Sequence, residues 1–242
     1  MGVLLKYAFL ACLVAWPLGW WKSDRLPATI AWAPVLDVEP RQEKVEQPPL
    51  DVSYAGVDYR VEPLYRYALD GVVVSYRVHD ADHLLHRLWN DHLNVADLCV
   101  VWGHDAHEID LHAFEFANGE FTCTFRTHSD AAWRSFRVDQ ISNNHLITAD
   151  PAIRARIGDV TVGDRVHFEG YLANYSNDTG FHRGTSTTRT DTGNGACETT
   201  YVTAFEIADP APRGWRKLSA VALWGMLFSG ATWLLGVAKG WF

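Results

Sequence analysis

The chain has 242 residues, room for one domain or two, and a net charge of −8 at neutral pH. Its two ends carry only basic residues: Lys6 and Lys22 within residues 1–22, and Arg213, Arg216, Lys217 and Lys239 within residues 213–242. Subtracting that +6 from the total leaves −14 on residues 23–212, which excludes a phosphate-neutralising nucleic-acid surface and argues against docking on anionic lipid.

Residues 7–21 form an uncharged run of 15 between Lys6 and Lys22, short of the roughly 20 apolar residues that cross a bilayer. That length also fits a signal-peptide core. The A-x-A tripeptide from Ala31 to Ala33 is followed by Pro34 and separated from the run by Lys22, Asp24 and Arg25. Trp16, Trp20 and Trp21 suit an interfacial aromatic belt, so residues 1–22 read as an uncleaved anchor. Residues 23–63, with Pro34, Pro40, Pro48, Pro49 and Pro63 among many charges, read as an extended stalk.

The globular domain is expected over residues 64–210. Residues 67–78, with three consecutive valines, predict a strand; residues 82–93 predict an amphipathic helix capped at Asp80 or Asp82; residues 98–102 predict a short buried strand. Asn118 and Gly119 between alternating runs predict a two-residue hairpin turn over residues 113–125. That register pairs Phe116 with Phe121 and Phe114 with Cys123, making Cys123 a core side chain. Short helices are expected after Ser129 and at Asp150, where Pro151 fits the first turn. Three further strands follow, over residues 165–175, 181–190 and 197–207. The fold class is α+β: mostly antiparallel strands in a small bent sheet or an OB- or SH3-like barrel, a few short helices, and a membrane helix at each end.

Residues 218–238 are 21 uncharged positions, long enough to span a bilayer, and the C-terminal helix is set at residues 215–238. Ser219, Ala222, Gly225, Ser229, Thr232 and Gly236 recur at spacings of three and four and line one helical stripe. Such stripes let membrane helices approach closely. Gly225, Ser229, Thr232 and Gly236 are therefore expected to dock against the first segment, a second copy or another membrane subunit. The count of Lys and Arg near the ends keeps the domain cytoplasmic by the positive-inside rule. A short N-terminal tail ahead of a signal-like helix favours the periplasmic side of a bacterial inner membrane, the side expected here.

Four cysteines, Cys12, Cys99, Cys123 and Cys197, occur without a CxxC pair, which argues against a dithiol redox motif, a zinc ribbon or covalent haem. Three lie in the domain, so at least one lacks an intrachain partner. The densest polar stretch, residues 182–198, places Arg183, Arg189 and Asp191 beside Gly193 and Gly195. Its glycines allow an anion nest and its arginines a bidentate clamp. Cys197 with His145 or His182 fits a nucleophile and base. The competing reading is a threonine-rich strand entering a glycine turn, with Arg189 and Asp191 paired. His104, His107, Asp110 and His112, and His79, Asp82, His83 and His86, have spacings that suit a divalent metal. Solvated histidines are the commoner case, and no metal or other cofactor is expected. Ser142, Asn143, Asn144 and His145 read as a cap or turn.

Trp102 and Gly103, residues 142–147, residues 162–172 and residues 189–198 resemble an uncharacterised family of bacterial membrane-anchored proteins, over about residues 33–207. The resemblance implies a bacterial source and a short N-terminal anchor, and it carries no catalytic roles. Two functions from different classes are expected. The first is a non-catalytic accessory subunit that docks, through its transmembrane helix and acidic domain, onto other membrane subunits or a second copy. The second is a membrane-tethered hydrolase or small-anion binder using residues 183–198. An enzyme should gather those side chains at one pocket with a perturbed histidine or cysteine; an accessory subunit should show a broad apolar patch.

Overall fold

The computed structural model describes residues 2–79, 84–119, 121–191 and 196–241. In chain order the first elements are α1 (Gly2–Ser23), β1 (Arg41–Lys44), β2 (Leu50–Tyr54), β3 (Val57–Val78), α2 (Leu84–Trp89), β4 (Asn94–Val101) and α3 (His104–His107). After them come β5 (Phe114–Asn118), β6 (Cys123–Thr127), α4 (Asp130–Ser135), β7 (Ile141–Ile147) and α5 (Pro151–Gly158). The chain ends with β8 (Arg165–Asn177), β9 (His182–Arg183), β10 (Glu198–Asp209) and α6 (Gly214–Ala238). Two compact units result, Met1–Arg25 with Pro212–Phe242, and Leu26–Ala211. The class is α+β, as expected.

In the larger unit β3 is the spine. It pairs antiparallel with β1, β2, β4 and β8, and the path β3-β4-β7-β10-β8 returns to β3. Within that path only β7 and β10 run parallel. The five strands and α5 supply one apolar core that includes Tyr67, Leu69, Leu98, Trp102, Leu146, Ile157, Phe168 and Phe205. Asp150 caps α5 by accepting from Ala152 and Ile153 N–H, with Pro151 in the first turn, as its sequence predicts. Gly170 is required where β8 crosses β10: a Cβ there would lie 2.0 Å from the Tyr201 carbonyl oxygen.

The proline-rich segment is not a stalk. Leu36 is fully buried, β1 and β2 pair with β3, and Tyr59 and Val61 are core residues. Pro40 immediately precedes β1, Pro48 and Pro49 sit between β1 and β2, and Pro63 falls at a register shift against β8, a position that tolerates a missing N–H. The alternation of Val52, Tyr54, Val57, Tyr59 and Val61 outweighs the prolines. Residues 142–145 likewise form buried strand in β7 and not a cap, and of residues 181–190 only His182 and Arg183 are strand.

The hairpin is also longer than its sequence predicts. Phe114 pairs with Thr127, Phe116 with Phe125 and Asn118 with Cys123, so the chain reverses between Asn118 and Cys123, where the Gly119 N–H donates to the Thr122 carbonyl at 2.8 Å. Cys123 is bonded to Cys99. This crosslink spans a sequence separation of 24 and stabilises the fold by about 3 kcal/mol through the unfolded state.

Both helices of the smaller unit are long and apolar enough to cross a membrane. Leu4, Val14, Trp20, Val221, Trp224 and Phe228 stay exposed on them, more apolar surface than a soluble body leaves in water. The helices pack antiparallel: Gly19 meets the backbone of Ser219, Gly225 faces Cys12 and Gly230 faces Phe9. Ala222, Ser229 and Gly236 are buried, while the Thr232 hydroxyl donates to the Phe228 carbonyl at 2.8 Å. The small-residue stripe is thus filled by α1 of the same chain. A Cβ on Gly225 would stand 2.8 Å from the Cys12 sulfur, so Gly225→Cys should crosslink to Cys12 within one chain under mild oxidation. Gly19→Leu, aimed at Ser219 backbone, should abolish that crosslink. A Gly225→Cys crosslink that forms only between chains would disprove the pairing.

Candidate functional site

The site begins as a row of cross-strand pairs. Along β4, Ala96, Leu98 and Val100 enter the main core, so Asp97, Cys99 and Val101 point to the opposite face. Their register partners on β7 are His145, Asn143 and Ile141. The β5–β6 hairpin covers this row. The Cys99–Cys123 bond fastens its base, the Ser75 hydroxyl donates to Asn118 Oδ1 at 2.6 Å, and Asn118 Nδ2 donates to Asn143 Oδ1 at 3.0 Å. The turn presents Phe121, at a φ of 57°, a conformation unusual for an aromatic residue and a mark of functional or packing constraint. Its ring centroid lies 5.3 Å from His86, 5.7 Å from His79, 5.7 Å from Trp89 and 6.0 Å from His145.

Under Phe121 sits a buried carboxylate. Asp97 is fully buried, with Oδ1 2.6 Å from His145 Nδ1 and 3.1 Å from His79 Nε2. Burial alone would neutralise Asp97, but the charge and hydrogen bond of His145, helped by His79, hold its carboxyl well below the usual carboxylate range. Burial pulls His145 down, yet the Asp97 charge and hydrogen bond, with a further hydrogen bond to Cys197, raise it to about 9. The pair is therefore carboxylate and imidazolium at neutral pH. Beside it, Asp91 accepts from the Tyr175 hydroxyl at 2.8 Å and lies 3.5 Å from His86 Nδ1. The rings of His79 and His86 are 4.3 Å apart, joining the two acid–histidine pairs.

Cys197 lies at the edge of this cluster, half-buried and unbonded. Its thiol donates to the Phe121 carbonyl at 3.6 Å, and Asn143 Nδ2 donates to its sulfur at 3.4 Å and to the same carbonyl at 3.3 Å. Because Asn118 holds Asn143 Oδ1, the amide can only turn its N–H groups towards the thiol. An open cleft of about 460 Å³, lined by Thr122, Phe125, Ser142, Asn143, Asp191 and Cys197 among others, reaches this point. The arrangement has the parts of a nucleophile, base and orienting acid.

Of the residues expected from sequence, His145 and Cys197 come together, but His182 is exposed on β9 and stays outside. Arg183 lies with its guanidinium 4.0 Å above the Phe121 ring. Arg189 is elsewhere, bonded to Glu39 at 2.6 Å and to the Pro40 carbonyl, so the two arginines form no common clamp. Nor does Arg189 pair with Asp191, whose Oδ2 accepts from Ser186 at 2.6 Å. Gly193 and Gly195, and Asp82 and His83, lie outside the described residues. The His104 group disperses: His104 meets Asp105 at 3.1 Å, His107 meets Asp37 at 2.5 Å, and Asp110 accepts from the His112 backbone at 3.0 Å. Among the described residues no three His, Cys, Asp or Glu side chains are grouped to hold a metal ion. Sequence reading missed Asp97 and Asp91. Asp97 had a signal, a lone carboxylate inside the apolar run from Val95 to Trp102.

Compared with known proteins, the chain matches no family model, no curated protein and no solved structure.

Glu198, His145 and Asp97 each tie stability to pH. Burial, with the Asp191 charge adding to it, pushes Glu198 from its ordinary 4.5 up to about 8. The folded protein therefore keeps a proton there that the unfolded chain has lost, and stability falls as pH rises from 4.5 to 8. The contribution of His145 is complete below its ordinary 6.5 and is lost as pH rises through about 9. The contribution of Asp97 is lost as pH falls below its ordinary 3.8. Denaturant unfolding followed by circular dichroism should thus give a higher midpoint at pH 5 than at pH 9. Glu198→Gln should remove most of the decline between pH 5 and 8 and leave that above pH 8.

Proposed function

We propose that this chain is a membrane-tethered thiol hydrolase or acyltransferase, with Cys197 as nucleophile, the His145 imidazolium as proton donor to the leaving group, and Asp97 as the group that orients and charges His145. The observation that carries this reading is the 2.6 Å bond from His145 Nδ1 to Asp97, beside a free Cys197 whose sulfur is held by Asn143 Nδ2 at 3.4 Å. Cys197 reacts as a thiolate, its proton having passed to solvent, beside the His145 imidazolium: the sulfur attacks a carbonyl carbon, the imidazolium gives its proton to the departing group, and the now neutral His145 takes a proton from the water or amine that follows. Water or an amine then releases the acyl group from sulfur. Asn143 Nδ2, held towards the sulfur by the Asn118 amide, is the donor available to the developing oxyanion.

Several features support the setting. Two apolar terminal helices suit a membrane anchor. The Cys99–Cys123 bond favours the periplasmic side of a bacterial inner membrane, where disulfides persist. The returning strand path, with its single parallel pair and α5 between β7 and β8, supports a small OB-type barrel. Of the three occupants expected for the small-residue stripe, it is α1 of the same chain that faces Gly225, so the stripe adds no support for docking on another subunit.

Purified full-length protein in mild detergent should hydrolyse 4-nitrophenyl butyrate. Cys197→Ala should abolish turnover, and Asp97→Asn should lower kcat by about 100-fold or more. Asp97→Asn also removes one partner of a buried ion pair and should cost about 3–5 kcal/mol, so kcat is compared at a temperature where circular dichroism reports a folded chain. Turnover that survives Cys197→Ala would refute the nucleophile assignment.

A further inference from the structure

A second cleft opens on the other side of Phe121. It has a volume of about 520 Å³ and is lined by Leu88 and Trp89 from the end of α2, by Thr179 and Gly180, and by Phe181, His182 and Arg183. Trp89 stacks on Phe181 at 5.8 Å and on Phe121 at 5.7 Å, which leaves a continuous aromatic wall. Leu88 is 67% exposed and Trp89 37% exposed, so that wall faces solvent.

Among the described residues Arg183 is the one Arg or Lys lining this wall. Its guanidinium lies 4.0 Å from the centroid of Phe121 and 5.8 Å from that of Phe181. Its Nη1 is buried without a hydrogen-bond partner, and no carboxylate among the described residues pairs with it. A half-buried guanidinium laid on ring faces, with one N–H group unsatisfied and no carboxylate partner among the described residues, is costly, and in a stretch carrying −14 acids were available to neutralise it. An incoming anion relieves that cost and gains a charge-assisted, bidentate contact. Phe121 connects this place to the proposed chemistry: its ring touches Arg183, and its carbonyl oxygen is 3.6 Å from the Cys197 sulfur.

We propose that this cleft is a substrate subsite that binds a carboxylate on Arg183 and an apolar or aromatic arm on Trp89 and Phe181, so that the preferred substrates are anionic amides or esters. This rests on the acyl-transfer reading above, and two measurements keep the fates of the two separate. The first compares kcat/KM for 4-nitrophenyl butyrate and for the mono-4-nitrophenyl ester of glutaric acid, which carries a free carboxylate. Wild-type protein should prefer the anionic ester. Arg183→Gln should reduce the anionic-to-neutral ratio about 10-fold or more, as loss of a charge-assisted contact predicts, and Arg183→Lys should restore part of it. A ratio unchanged by Arg183→Gln in a protein of unaltered thermal midpoint would overturn the subsite. The second is calorimetric titration with N-benzoylglycine and its uncharged amide. The acid should bind to wild type and to Cys197→Ser, should bind at least 10-fold more weakly to Arg183→Gln, and should bind more tightly than the amide. That pattern upholds the subsite even if both esters go unhydrolysed, a result that removes only the nucleophile assignment. Equal binding of acid and amide would overturn it.

Discussion

An ionised carboxylate held out of water constrains everything around it. Asp97 sits in the middle of a fully buried strand, where an unpaired charge costs several kcal/mol. It is tolerated because His145 and His79 converge on the same oxygen. The imidazolium of His145 is itself buried and must be shielded in turn. Phe121 provides that cover, the hairpin delivers Phe121, and the disulfide to Cys99, two residues along β4 from Asp97, fixes the hairpin. Thus one charge on the outer face of β4 accounts for the position of a loop that makes no contribution to the main core.

The same constraint explains why polar residues of such different kinds share one sheet face. Ser75, Asn118 and Asn143 form a chain of amide and hydroxyl contacts that ends at Cys197. Each member is satisfied by the next, so the asparagine nearest the thiol has a single permitted orientation. Buried networks of this sort are stable when complete and costly when broken. The site is therefore rigid where its donors are fixed and open where the cleft reaches the sulfur.

Much of the architecture was legible in the residues. The valine run of β3, the Asp150 and Pro151 start of α5, the Ser129 cap of α4 and the two apolar ends all read correctly, because each depends on local propensity or simple length. The stalk misled because prolines in strand-flanking positions look the same as prolines in a linker; only pairing with β3 distinguishes them. The Asn118 and Gly119 turn misled because tertiary demand overrode local preference: pairing Asn118 with Cys123 places Phe121 outside the ladder, where its ring reaches the histidines. His145 and Cys197 could be nominated from residue type. Their third member could not, since Asp97 is 48 residues from His145 and meets it only through the β4–β7 register.

The length of β3 has a consequence for biogenesis. Its 22 residues are clasped on one side by β8, about a hundred positions later in the chain, and the path closes only once β10 is present. Contacts so distant in sequence make a nascent domain slow to condense. A slow-condensing chain holds its thiols away from their final places, and loop length then favours the right pair: Cys99 and Cys123 are 24 positions apart, Cys197 is farther along the chain from both, and so among the larger unit's three cysteines the correct closure loses the least entropy.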